Sequence, residues 1–198
     1  EPDDAYRHAL VMDRGFPVRT DIAASDPARG YDVLAHEWPL AFRRARGEKK
    51  LKLLIYAHGG LNGEAASIQR IRLLAPYALD AGLYPLFLTW RSGPLETLVD
   101  MVEEVVARMG FGARGEGPAR GWLDRLSEKT DRLIEPLVRA PGGAMWSQMK
   151  LNAVRASEHR QGAGRLLVKS LAKLAAETPL ELHFMGHSAG AILLGALL

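Results

Sequence analysis

Apolar residues along the chain fall into short runs and helical stripes that alternate. Leu51–Ala57 is a mostly apolar run that stops at Gly59-Gly60, which reads as a strand buried on both faces. Residues 62–81 follow with Ile68, Ile71, Leu74, Ala75 and Leu79 at helical spacing, and Gly82 ends that helix. Tyr84–Trp90 is the next apolar strand. A strand, a crossover helix and a strand form a βαβ unit, so the two strands are expected to be parallel. Residues 94–109 form an amphipathic helix, with Leu95, Leu98, Val99, Val102, Val105, Val106 and Met109 on one stripe. A glycine-rich connector, 110–118, leads to a weaker helix over 122–138 and a less regular amphipathic stretch over 145–160. A strong helix spans 165–177, with Leu166, Leu167, Leu171 and Leu174 inward, and Thr178-Pro179 ends it. Leu180–Met185 is a third strand, and Ala189–Leu198 begins another helix. Before Leu51 the pattern weakens to short strands within 8–12 or 17–22 and a stretch, 31–46, with apolar residues from Tyr31 to Phe42 interrupted by Pro39.

These elements give a three-layer α/β fold with a mainly parallel sheet and helices on both faces. The strand order expected is 84–90, 51–57, 180–185. The carboxyl ends of the last two then lie side by side at a topological switch point, where such sheets bind ligands. Residues 94–160 are read as a helical insertion in a single domain over 1–198, serving as a lid or a structural cap.

Composition narrows the class. The chain has 198 residues, 47% of them apolar and 25% charged, the balance of a folded globular protein. No apolar run reaches the roughly 20 residues of a membrane helix. With no Cys, disulfides, Cys-zinc sites and Cys nucleophiles are excluded, and the compartment stays open. The formal charge of +3 and the basic run from Arg43 to Lys52 read as a solvated loop. Nothing beside the run has the aromatic interleaving of a nucleic-acid surface.

Two segments point to chemistry. Gly186-His187-Ser188-Ala189-Gly190 stands between a strand and a helix, the context that Gly-x-Ser-x-Gly requires to act as a nucleophile elbow. Such a tight turn strains the Ser backbone and demands small residues two before and two after it. It lifts the hydroxyl to a helix N-terminus that favours developing negative charge. His187 is read as a packing or hydrogen-bonding residue, because neighbours at such a turn point apart. The second segment is His58-Gly59-Gly60, followed by Leu61-Asn62, where glycines let backbone N–H donors approach an oxyanion. His183 and His187 have the i, i+4 spacing of a metal pair only on a helix, and a strand and a turn hold them here, so no metal site is read.

The Tyr56–Asn62 segment, the stretch Tyr84–Thr97 and the Ser188 pentapeptide resemble the α/β-hydrolase superfamily, in particular an uncharacterised bacterial group of esterase/lipase type. The likeness covers about 51–100 and 164–198. It implies Ser188 as the nucleophile and an oxyanion hole from the N–H groups of Gly60, Leu61 and Ala189. His58, Gly59, Gly186, His187 and Gly190 are its supporting residues, and no metal or organic cofactor is needed. The implied function is a serine hydrolase acting on an ester, thioester or amide of a small-molecule or acyl substrate. An acyltransferase, or a non-catalytic scaffold binding a partner through the insertion, is the alternative. The family orders its triad Ser, acid, His, yet no Asp, Glu or His follows Ser188. The acid and base are therefore expected beyond Leu198, on a continuing or second chain whose strands would cover the 180–185 edge. His159, Asp100, Glu103 and Asp124 would serve only in a different site design.

Overall fold

The computed structural model describes residues 4–22, 26–59, 63–91, 143–144 and 146–198. The chain forms two compact units, one of residues 1–92 and 149–198 and one of 93–148. The predicted helices 94–109 and 122–138 and the 110–118 connector lie outside the described residues. Residues 149–160, expected to end the insertion, belong to the sheet unit.

That unit is built on five strands: β1 (Ala9–Asp13), β2 (Phe16–Pro17), β3 (Leu51–Ala57), β4 (Leu83–Arg91) and β5 (Leu180–Gly186). Their order is β2-β1-β4-β3-β5. The β1–β4, β4–β3 and β3–β5 pairs are parallel, and β2 is antiparallel to β1. The order expected for the three apolar runs is therefore the order observed. The register aligns Ala57 with Leu88 on one side and with Gly186 on the other.

Strand alternation divides the core. Ala9, Val11, Tyr56 and Phe87 meet Ile68, Ile71 and Ala75 of α3 (Glu64–Asp80) on one face. Leu10, Met12, Leu53, Ile55, Leu86 and Leu88 are fully buried on the other. Leu74, expected in the α3 stripe, is exposed. It lies about a quarter turn from the line through Ile68, Ile71 and Ala75, and a single helix on a twisted sheet buries only a narrow stripe. Gly82 follows the end of α3 with φ 76°, the left-handed residue that closes a helix.

The N-terminal third contains a helix that the sequence pattern did not reveal. It runs as α1 (Pro27–Asp32), a π-helical turn (Val33–Glu37) and α2 (Trp38–Ala45). Pro39 has no N–H to give and its ring crowds the preceding turn. The chain widens there, and the Trp38 N–H reaches back five residues to Val33. The Tyr31 hydroxyl donates to the Val11 carbonyl at 2.8 Å and ties this helix to β1. Helix 146–158 (α4) leads to α5 (Ala163–Glu177), and α6 (Ala189–Leu197) follows β5. Asp32 accepts bonds from Ser170 and Lys173, joining α1 to α5.

Candidate active site

Ser188 stands where β5 gives way to α6. Its φ of 54° and ψ of −121° are nearly closed to residues with a Cβ, and holding such a conformation costs on the order of 1–3 kcal/mol. The flanking glycines make it feasible. A Cβ on Gly190 would lie 2.0 Å from the Ala57 carbonyl oxygen, and one on Gly186 would lie 2.9 Å from the Ala191 Cα. Both contacts are with backbone that cannot swing aside. The His187 N–H donates to the Ala57 carbonyl at 3.0 Å, so the turn is fastened to the end of β3.

The first turn of α6 leaves one donor over. The Gly190 N–H bonds to the His187 carbonyl and the Ala191 N–H to the Ser188 carbonyl, each at 2.9 Å. The Ala189 N–H, in a residue only 2% exposed, has no acceptor among the described residues. A free, fixed donor directly after a serine is what a developing oxyanion needs.

The β3 side of the site is held by His58, which is 2% exposed. Its Nδ1 lies 2.6 Å from the Gly59 carbonyl and its Nε2 lies 2.9 Å from Ser67 Oγ. A carbonyl accepts only, which assigns the proton to Nδ1, and Ser67 Oγ, with one proton, faces two acceptors: His58 Nε2 and, at 3.1 Å, the Gly63 carbonyl. The His58 carbonyl accepts from Trp90 Nε1 at 3.3 Å. Burial pushes the His58 pKa down to about 4, against a smaller upward effect of the bond to Gly59. The ring is neutral and structural near pH 7. Ser67 and Trp90 had no motif to mark them. They are separated from His58 by 9 and 32 positions, and packing alone brings them together.

Gly59 closes the gap between the two segments. A Cβ there would lie 3.1 Å from His187 Nδ1 and 3.5 Å from Ser188 Cβ, so the His58-Gly59 end of β3 abuts the serine, as its sequence position suggested. Gly60, Leu61 and Asn62 lie outside the described residues. His187 is exposed, with its ring against Gly59 and no side-chain hydrogen bond among the described residues.

Neither His–carboxylate pair among the described residues serves Ser188. His36 pairs with Glu177 and His183 with Glu181. His183 is five residues back along β5, on the order of 15 Å away. His159 packs edge-on against Phe16 and its Nδ1 accepts the Gln161 N–H. Ser188 Oγ itself has no hydrogen-bond partner among the described residues. Among those residues no group of three or more His, Asp or Glu could hold a metal, and no helix is long and apolar enough to cross a membrane. No protein-family model, curated protein or solved structure matches the chain.

Proposed function

We propose that the protein is a serine hydrolase that cleaves an ester, thioester or amide through an acyl-enzyme on Ser188. The observation that carries this reading is the backbone of Ser188, held at positive φ between two glycines that cannot accept a Cβ. A fold keeps such strain where the surrounding structure enforces it and the position has a use. The hydroxyl stands at a helix N-terminus beside the free Ala189 N–H, so attack on a carbonyl would place the new oxyanion near a ready donor. Gly60 and Leu61, next along the chain from Gly59, would supply the second donor. The site is completed by a general base to take the Ser188 proton and an acid to orient it.

A fluorophosphonate probe tests the nucleophile directly. Labelling of the intact protein at Ser188, lost in Ser188→Ala together with turnover, is the expected result. An Ala variant that labels as well as the wild type would remove the assignment. Product analysis with a competing alcohol then separates hydrolysis from acyl transfer, since both pass through the same acyl-enzyme.

A further inference from the structure

The turn between β1 and β2 consists of Arg14 and Gly15 alone, with φ of 49° and 89°. Two left-handed residues make the hairpin turn whose first position belongs to Asn, Asp or Gly. Arginine there is a conformational misfit. Gly15 is obligatory, since a Cβ would come within 2.7–2.9 Å of Asn152, Arg155 and Ala156. The hairpin tip is therefore pressed onto α4, and the stem of Arg155 lies against it.

Beside this contact is an open cleft of about 750 Å³ lined by Arg14, Arg19 and Arg155 together with Asp13, Phe16 and Pro27. Among the described residues none of the three guanidinium groups has a carboxylate or hydrogen-bond partner. This contrasts with Arg7, Arg29, Arg44 and Arg91, which are all paired. Three unpaired like charges around one cleft repel one another and attract an anion. Asp13 is the single acid among the described lining residues, so their formal balance is +2, complementary to the −2 of a phosphate dianion. Three planar forks approaching from separate elements suit the three free oxygens of a phosphate ester better than the two of a carboxylate.

The cleft opens at the same carboxyl-terminal end of the parallel strands as the serine, on the far side of the sheet. Asp13 ends β1 level with Arg91, and Gly186 ends β5 level with Ala57. Three strand spacings, with β1 ending three residues further along than β5, put Arg14 on the order of 15–20 Å from Ser188.

We propose that this cleft binds the phosphate group of a phosphorylated substrate through Arg14, Arg19 and Arg155. The link to catalysis rests on the reading of Ser188 as nucleophile. It places the phosphate on the order of 15–20 Å from the acyl carbon, so the substrate would have an extended chain of that length between its phosphate and the scissile bond.

Arg14→Asn offers a clean test, because it removes the charge while installing the residue that the turn favours. The variant is expected to unfold about 2–4 °C higher than the wild type, because the left-handed strain at that position is relieved. In the same variant, calorimetric affinity for inorganic phosphate should fall about 10- to 100-fold. Arg155→Gln, on the exposed face of α4, should lose phosphate affinity without the rise in midpoint. A phosphorylated acyl ester should show a raised KM in both variants, while an uncharged ester keeps its KM. Undiminished phosphate binding in both variants would overturn the proposal, as would acetate binding as tightly as phosphate. Labelling of Ser188 with no phosphate binding would remove the subsite and leave the nucleophile standing. Phosphate binding without Ser188 labelling would do the reverse.

Discussion

His58 shows how a single residue joins the site to the stability of the fold. Burial disfavours the imidazolium, so between about pH 4 and 6.5 the unfolded chain binds the proton more tightly than the folded one. The neutral ring therefore contributes stability that is fully present above pH 6.5 and is lost as the pH falls toward 4. A depression from 6.5 to about 4 corresponds to about 3 kcal/mol over the whole window. Urea unfolding at pH 7 and pH 5 should show the wild type losing about 2 kcal/mol more than His58→Asn, whose amide retains a donor toward Gly59. His8 is also buried and lowered, but it titrates in both proteins and cancels. An equal loss in the variant would assign the titration to another group. In the folded protein the ring stays neutral until about pH 4, so any effect of its protonation on acylation at Ser188 should appear only near that pH, well below the range where stability begins to fall.

At the scale of the element, α6 contains two glycines with opposite demands. Gly190 abuts the β3 backbone, while a Cβ at Gly195 would meet nothing within 4 Å. Gly190→Ala must push α6 off the end of β3 and is expected to destabilise by about 3 kcal/mol or more. Gly195→Ala should stabilise by up to about 1 kcal/mol, the helix propensity difference. Chemical denaturation of the two variants checks the pair. Similar effects at both positions would mean that α6 does not dock on β3 through Gly190. The same docking sets the strain at Ser188, so Gly190→Ala should lose labelling at Ser188 even under conditions where it remains folded.

For the molecule as a whole, the sheet is asymmetric. One edge is the short antiparallel β2, a common way to blunt an edge. Among the described residues the other is β5, where Phe184 is 39% and Met185 56% exposed. Leu182 and Phe184 face the side of α5 and α6, and an apolar groove of about 340 Å³ lies there, lined also by Leu167, Leu171 and Leu197. A long apolar edge with unpaired backbone groups is a template for association. A polypeptide limited to residues 1–198 is expected to form higher-order species by light scattering, and Met185→Lys should reduce them. Monodisperse behaviour of the unsubstituted polypeptide at high concentration would contradict this.

Local pattern was enough to read the three apolar strands and their parallel order, the two helices that follow β3 and precede β5, and the glycine spacing around Ser188. Each depends on neighbours within a few residues or on the handedness of a crossover, and both leave a periodic mark in the chain. The continuous helix through 27–45 left none, because Pro39 reads as a break and only the π turn reconciles it. The place of β1 beside β4 depends on a pairing across more than seventy residues. Tertiary packing alone decided that Ser67 and Trp90 hold His58, that Leu74 faces solvent, and that Arg14, Arg19 and Arg155 meet in one cleft. The reason is common to all of these: partners brought together across the fold share no spacing, and their chemistry becomes visible only once the sheet has set their distance.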